Sequence, residues 1–106
     1  MSYQVSWTDV SRGDLNEIIR YIAVDNVGNA LNVLDKLETK AASLEQFPER
    51  GRLLPELIDS GITQYRELIS APWRIIYRIE QQEVFVTAVL DSRRDLQTLL
   101  LSRLGN

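Results

Sequence analysis

The sequence predicts an α+β domain in which a helical hairpin packs on one face of a mostly antiparallel sheet. The first half holds one short alternating segment and two amphipathic helical segments. The second half holds three alternating segments and a leucine-rich end. The predicted order is β-α-α-β-β-β with a C-terminal helix, and this segregation of helices from strands is typical of α+β folds. A chain of 106 residues is expected to form a single domain spanning 1–106.

The first half predicts a strand and two helices. The segment YQVSW, residues 3–7, alternates between apolar and polar side chains, as a half-buried strand does. Thr8 is a suitable N-cap for the first helix, and residues 25–29 predict the turn that ends it. Both helices are indicated by apolar residues at helical spacing. These are Leu15, Ile18, Ile19 and Ile22 in the first helix, and Ala30, Leu34, Leu37, Ala41 and Leu44 in the second.

The second half predicts a loop, three strands and a last helix. Two prolines and a glycine make residues 48–57, PERGRLLPEL, a predicted loop. The strands are predicted over 63–69, 73–80 and 83–90, with Gln81 and Gln82 turning the second into the third. Ser92 is a candidate N-cap for the last helix, and Gly105 a candidate end. Four leucines give that helix its apolar face: Leu96, Leu99, Leu100 and Leu104. The sequence leaves three roles open for this helix: it covers the sheet, binds a partner or forms a dimer.

Alternation along the strand 73–80 predicts which of its side chains meet the helices. The side chains expected on that face are Trp73, Ile75, Tyr77 and Ile79. The aromatic residues expected in the core are Trp7, Phe47, Trp73 and Phe85. Tyr65 and Tyr77 are interpreted as packing residues rather than as reactive groups.

Arginine is the recurrent charged residue of the second half, which holds eight arginines, eight acidic residues and no lysine. Its planar donor fork suits carboxylates and phosphates. Alternation places Arg74 and Arg78 on the face away from the helices, and Arg66 can join them if the register allows. These arginines predict a basic patch for an anionic partner, which consists of Arg50, Arg52, Arg66, Arg74, Arg78, Arg93 and Arg94. The alternative is a solvated face on which arginines pair with Glu67, Glu80 or Glu83.

Missing residue types exclude several kinds of site. The chain has no cysteine and no histidine. Disulfides, thiolate nucleophiles and zinc–thiolate sites are therefore excluded, and no imidazole can act as a base. No apolar run reaches the ~18 residues of a membrane span. We expect a cytoplasmic protein with no membrane partner, no metal and no cofactor.

Five motifs, in order, resemble the ParE branch of the RelE/ParE toxin superfamily. They are DLNEIIRYIA (14–23), PERGRLLPEL (48–57), YRELI (65–69), WRIIYRI (73–79) and VLDSRRD (89–95). The similarity runs from Val5 to about Leu96. It implies the toxin of a type II toxin–antitoxin system, neutralised by a cognate antitoxin. It also implies that the basic patch binds the target or the antitoxin. ParE-like members block DNA gyrase and arrest growth, whereas RelE-like members cleave messenger RNA in the ribosome.

The chain departs from the nuclease pattern of the superfamily. Nuclease members use lysines, arginines and often a late histidine or tyrosine, and here that late position resembles Asp91. Both lysines fall on the second predicted helix. We therefore expect no catalytic residues and a gyrase inhibitor. The alternatives are a ribosome-dependent mRNA endoribonuclease and a non-toxic antitoxin-binding relative. A homodimer or a toxin–antitoxin hetero-oligomer is left open.

Overall fold

A computed structural model describes residues 2–104, without the side chains of Leu96 and Leu104. The strands are β1 (Gln4–Trp7), β2 (Arg52–Leu53), β3 (Tyr65–Ser70), β4 (Trp73–Glu80) and β5 (Glu83–Asp91). The helices are α1 (Asp9–Asp25), α2 (Val27–Ala42), α3 (Pro55–Ile58) and α4 (Leu96–Leu104). The sheet order is β1-β5-β4-β3-β2, and only β1 and β5 pair in parallel within the described sheet. The predicted α+β fold is confirmed.

A single residue, Asn26, connects α1 to α2 in the helical hairpin. Thr8 caps α1 as predicted, because its hydroxyl accepts a hydrogen bond from the Ser11 amide. Asn26 ends α1 by donating its amide to the Ile22 carbonyl, and its side chain accepts from the Asn29 amide at 2.9 Å to start α2. The predicted five-residue turn over 25–29 is therefore wrong, since one residue caps both helices.

A β-bulge in β5 changes which of its side chains face the helices. Ile76 pairs with Ala88 but Tyr77 pairs with Val86, so Thr87 is the extra residue. Strict alternation from Val86 would put Ala88 on the same face, whereas the bulge turns Ala88 to the opposite one. We call the face toward α1 and α2 the inner face and the opposite one the outer face.

The inner face carries the larger core. Its buried members are Leu15, Leu37, Ala41, Leu44, Leu68, Ile75, Tyr77, Val84, Val86 and Val89. Trp7 and Trp73 pack against this cluster, as predicted, and so does Ile79. Phe47 was expected in the core, and that prediction is wrong: it is 63% exposed, beyond the 3-10 turn Ser43–Glu45 that follows α2.

The outer face is also covered. The segment that covers it was predicted as a loop over 48–57, and α4, whose role the sequence did not decide, covers it too. Leu54 and Leu57 of the 48–57 segment are buried there with Ile76, Ala88, Leu90 and Leu100. The predicted loop therefore contains an edge strand and a short helix, and α4 covers the sheet. Asp95 rather than Ser92 caps α4, because its carboxylate accepts from the Thr98 amide at 3.4 Å. The predicted helix end at Gly105 lies outside the described residues.

Candidate functional site

The seven arginines predicted as one basic patch lie in three places. The outer face holds Arg52, Arg74 and Arg78, and the loop between β5 and α4 holds Arg93 and Arg94. Arg66 stands opposite Tyr77 in the β3–β4 register, so its side chain projects on the inner-face side. The expectation that Arg66 joins Arg74 is therefore wrong. Arg66 instead donates to the Gly51 carbonyl at 2.8 Å, and Arg50 donates to the Ser43 hydroxyl at 2.8 Å.

Arg74 is a buried ion-pair residue, not an exposed recognition residue. Its side chain is 7% exposed, and its Nε donates to the carboxylate of Glu67, which is fully buried. Its two terminal nitrogens donate to Glu56 at 2.5 and 2.7 Å. The second oxygen of Glu67 accepts from Arg52 Nε at 2.6 Å. Two cations thus meet two carboxylates, and the cluster is neutral.

Titration follows from this geometry. The hydrogen bonds from Arg74 lower the pKa of Glu56, against an opposing effect of burial. The pKa of Arg74 is raised, chiefly by its hydrogen bonds to Glu56, and burial opposes that rise. An arginine side chain can donate up to five hydrogen bonds. All three nitrogens of Arg74 already donate to the carboxylates of Glu56 and Glu67. An incoming anion would have to displace Glu56 to reach Arg74.

Arg78 lies at the other end of β4 on the outer face, where it is partly exposed. Its guanidinium carbon is 4.6 Å from the centroid of the Phe85 ring, a cation–π distance. Its Nε donates to Glu80 at 3.1 Å. Phe85 therefore lies under Arg78 rather than in either core cluster, and its predicted core position is wrong. The alternative interpretation was that the arginines pair with acidic neighbours. Glu67 and Glu80 do form such ion pairs with arginines. Glu83 instead accepts a hydrogen bond from the Ser6 hydroxyl.

The side chains of Asp91 and Tyr77 are both hydrogen-bonded within the chain. Arg93 holds the Asp91 carboxylate through two side-chain hydrogen bonds of 2.5 and 2.9 Å and through its backbone amide. These contacts lower the pKa of Asp91 to about 2. The Tyr77 hydroxyl donates to the Pro48 carbonyl at 2.7 Å and accepts from the Gly51 amide at 3.0 Å. Burial raises the pKa of Tyr77. Tyr65 packs beside the outer-face cluster, so both tyrosines pack as predicted.

A groove of about 510 Å³ opens between α1, the end of β5 and α4. Its lining includes the apolar side chains of Ile18, Ile22 and Trp73 and the charged side chains of Arg93 and Arg94. Arg103 of α4 also lines the groove and donates two hydrogen bonds to Asp14 of α1, at 2.8 and 3.0 Å. Sequence patterns gave no signal for this contact, because the two residues are 89 positions apart.

The described part of the chain has neither a cluster of metal-binding side chains nor a helix that could span a membrane. Within residues 2–104, no three acidic, histidine or cysteine side chains are grouped so as to hold a metal ion. None of the helices described there has the length and apolarity needed to cross a bilayer.

Comparison with known proteins gives the family. Residues 5–96 match the family model of the ParE toxin of type II toxin-antitoxin system, parDE. Toxin ParE3 of Caulobacter vibrioides is 30% identical over 89 residues, which are 83% of this chain and 85% of that toxin.

Two solved structures share the fold. A chain of a chromosomal ParDE toxin–antitoxin system of P. aeruginosa has a TM-score of 0.68 at 19% identity, covering 85% of this chain and 96% of that one. A chain of the RelBE2 toxin–antitoxin complex of Mycobacterium tuberculosis has a TM-score of 0.64 at 20% identity, covering 86% and 99%. The family match spans the strands and helices from β1 to the start of α4, and this chain belongs to the ParE toxin family of type II toxin–antitoxin systems.

Proposed function

We propose that this toxin arrests growth by inhibiting DNA gyrase, that a cognate antitoxin neutralises it, and that it does not cleave messenger RNA. The gyrase target follows from the resemblance to ParE-like members. The antitoxin partner is supported by the family and by the ParDE and RelBE2 systems that share the fold.

The neutral outer-face cluster is the observation that argues most directly against RNA cleavage. Attack by a ribose 2′-hydroxyl needs a proton acceptor, a proton donor and cations that stabilise the charged phosphorane. Arg74, a central arginine of the outer face, is already paired with Glu56 and Glu67. Arg52 is also paired with Glu67. A phosphate approaching this face would meet carboxylates as well as guanidinium groups.

A proton acceptor of suitable strength is also missing from the candidate positions. General bases work best when their pKa lies near the working pH. The pKa of Asp91 is about 2, so its carboxylate is a weak base at neutral pH. Lys40 is on α2, where its Nζ donates to the Ile69 carbonyl at 2.7 Å. These residues fit a protein-binding surface better than a nuclease site.

The test is a pair of assays on the same purified toxin. Gyrase supercoiling should be inhibited as toxin is added, and a translating ribosome extract should show no codon-dependent cleavage of messenger RNA. Adding the purified product of the adjacent gene should restore supercoiling, which serves as the control for specific inhibition. Codon-dependent cleavage products would contradict the proposal. Binding to the adjacent gene product with no effect in either assay would instead indicate a non-toxic antitoxin-binding relative.

A further inference from the structure

Another concavity, of about 410 Å³, lies between the C-terminal half of α2, the segment before β2 and the end of β3. We call it the α2 pocket. Both lysines of the chain, Lys36 and Lys40, line it together with Arg50. Its lining shares no residue with the groove beside α1 or with the outer-face ion-pair cluster. The α2 pocket is therefore a separate concentration of positive charge in a chain whose net charge is −3.

The three cations of this pocket lack the acidic partners that the chain supplies elsewhere. Among residues 2–104, six of the twelve Lys and Arg side chains form ion pairs, and none of the pocket cations is among them. Asp35 is the carboxylate of the lining, so three cations against one acid give a net charge of +2. Glu38, on the same helix, is directed to Arg12 at 3.8 Å. Glu49 and Arg66 lie outside the lining, and their charges offset each other.

Hydrogen bonds to neutral groups hold two of the cations in place. Lys40 Nζ donates to the Ile69 carbonyl at 2.7 Å, and a terminal nitrogen of Arg50 donates to the Ser43 hydroxyl at 2.8 Å. The Ser43 hydroxyl in turn donates to the Lys40 carbonyl at 2.6 Å. A lysine has three donors and an arginine five, so both side chains keep donors for a ligand. Groups that are fixed before binding lower the ordering cost of association.

The position of the lysines on α2 does not serve the stability of the helix alone. Lys36 and Lys40 are four residues apart, and like charges at this spacing destabilise a helix. A cation in the last turn of a helix is favourable, which accounts for Lys40. It does not account for Lys36, one turn earlier, or for Arg50, which lies outside the helix. An anion bound between these side chains would offset their repulsion.

We propose that the α2 pocket binds a phosphate group, carried by nucleic acid or by a small phosphorylated molecule. Side chains of Arg, Lys, Ser and Thr are the ones that contact phosphate oxygens in protein–DNA complexes. The hydroxyls of Thr39 and Ser70 also line the pocket, and they have no hydrogen-bond partner among residues 2–104. A phosphate monoester carries a charge of about −1.5 to −2 at neutral pH, which matches the charge of the lining. The inference does not rest on the proposed function, because neither gyrase nor an antitoxin enters it.

The experiment titrates the full-length toxin with two probes and follows backbone amide chemical shifts by NMR. One probe is inorganic phosphate, and the other is a single-stranded DNA oligonucleotide without terminal phosphates. Sodium chloride at equal ionic strength is the reference. At least one probe should give saturable shifts in the second half of α2 and at Ser70, and chloride should give none. Saturation by phosphate alone would indicate a small phosphorylated ligand, and saturation by the oligonucleotide would indicate nucleic acid. Saturation by neither probe would overturn the proposal.

Variants locate the site. Lys36→Gln and Arg50→Gln should each raise Kd by about fivefold or more, the effect of losing a hydrogen bond to a charged group. Asp35→Asn should lower Kd, because it removes the carboxylate of the lining. Arg20→Gln is the matched control, since Arg20 is an exposed cation on α1 outside the pocket. It should leave Kd within about twofold. Circular dichroism should show all four variants folded, because every changed side chain is exposed.

The variants also distinguish a specific site from a general effect of charge. If the oligonucleotide binds, Lys36→Gln should reduce the slope of log K against log salt by about one, and Arg20→Gln should not change it. An equal loss of affinity in Arg20→Gln would overturn the proposal. An unchanged Kd in both Lys36→Gln and Arg50→Gln would do so as well, because the probe would then bind elsewhere. Weaker binding by Asp35→Asn would contradict the role given to the net charge.

Discussion

Arg103 and Asp14 join the last helix to the first one, across 89 positions of sequence, through two hydrogen bonds of 2.8 and 3.0 Å. The side chains are 30% and 11% exposed. The pKa of Arg103 is raised, chiefly by its hydrogen bonds to Asp14. Because Asp14 also binds the Val89 amide, this carboxylate connects α4 with both a helix and a strand. The pair therefore ties α4 to α1 beside the groove that both residues line.

Removing Arg103 should loosen α4 without unfolding the domain. We expect Arg103→Ala to lower the free energy of unfolding by about 1–2 kcal/mol, the range for hydrogen bonds to a charged group that is partly exposed. Urea denaturation measures this loss, and hydrogen exchange should increase within α4. Glu38→Ala is the control: it breaks an exposed pair with Arg12 at 3.8 Å and should cost no more than about 0.5 kcal/mol. Equal losses in the two variants would show that the pair does not anchor α4.

The Tyr77 hydroxyl fixes the segment that leads into β2. It connects the Pro48 carbonyl with the Gly51 amide, and Tyr77 is fully buried. Tyr77→Phe removes the hydroxyl and leaves both backbone groups without that partner. The expected loss is about 1–3 kcal/mol, the cost of unsatisfied buried polar groups. Tyr65→Phe is the control, because Tyr65 is only partly buried. Chemical denaturation of the two variants tests this, and an unchanged midpoint for Tyr77→Phe would contradict it.

Gly51 lies so close to its neighbours that a side chain cannot be added. A Cβ at this position would be 2.5 Å from the Tyr77 hydroxyl oxygen and 2.6 Å from the Glu67 carbonyl oxygen. Overpacking of this kind typically costs about 1–3 kcal/mol. We expect Gly51→Ala to destabilise the protein even when combined with Tyr77→Phe, because the clash with the Glu67 backbone persists. Gly13→Ala is the control, since nothing lies within 4 Å of its Cβ position. A fully stable Gly51→Ala protein would contradict the close packing.

The β4–β5 hairpin contains a strained residue. Gln81 has a φ of +54°, a conformation that costs a non-glycine residue ~1 kcal/mol or more. Gln81→Gly should therefore raise the free energy of unfolding by about 0.5 kcal/mol, after allowing for the extra entropy of glycine in the unfolded chain. Gln82→Gly lacks this relief and should lower stability instead. Thermal denaturation of both variants distinguishes them, and a destabilised Gln81→Gly would be the contrary result.

Acid should weaken the protein through carboxylates that hold arginines. The pKa of Asp91 is about 2, below its ordinary value of 3.8, and Arg93 is the main cause. The pKa of Glu56 is also lowered, mainly by Arg74. A carboxylate with a depressed pKa contributes stability above its ordinary pKa, and this contribution is lost as pH falls through the folded-state pKa. Urea titrations from pH 5 to pH 2 should show falling stability, with a shallower fall in Asp91→Asn. An identical slope would contradict the role of Asp91.

Local signals predicted the parts of this fold that depend on neighbours in sequence. The Thr8 cap, the apolar face of α1 and the inward side chains of β4 all follow from spacing within a few residues. The strand β2 could not be found in this way, because Arg52 and Leu53 form a strand only by pairing with β3. The bulge at Thr87 is likewise a property of the β4–β5 register.

The candidate site was less predictable because it depends on partners distant in sequence. A strand arginine such as Arg74 has the pattern of a solvent-facing residue, and its burial depends on Glu56 and Glu67 reaching it. Glu56 does so from α3, a helix inside a segment that prolines and glycine predict as loop. The groove depends on Arg103 meeting Asp14, and no periodicity connects those two residues. Arg93 and Arg94 were placed correctly after the third predicted strand, since only chain order was needed.

The outer face supplies a sharp comparison between two arginines of the same strand. Arg74 is buried against two carboxylates, whereas Arg78 is partly exposed over Phe85. Arg74→Ala leaves the buried Glu67 poorly compensated, and removing one partner of a buried pair typically costs ~3–5 kcal/mol. Arg78→Ala loses one cation–π contact and an exposed pair, about 1 kcal/mol together. Urea denaturation should therefore separate the two variants by at least about 2 kcal/mol.

The same two variants should rank in the opposite order when inhibition of gyrase by the folded protein is measured: Arg78→Ala should lose more inhibition than Arg74→Ala. If Arg78 contacts the target, Arg78→Ala should weaken inhibition of supercoiling while the protein stays folded, as expected of one contributing interface residue. The Arg74→Ala variant should inhibit gyrase less only to the extent that part of the protein is unfolded. Inhibition is therefore measured at a temperature where circular dichroism shows each variant folded. Full inhibition by Arg78→Ala would remove Arg78 from the target-binding surface. Weak inhibition by folded Arg74→Ala would show that the buried cluster takes part in target binding, because its loss would then act without unfolding.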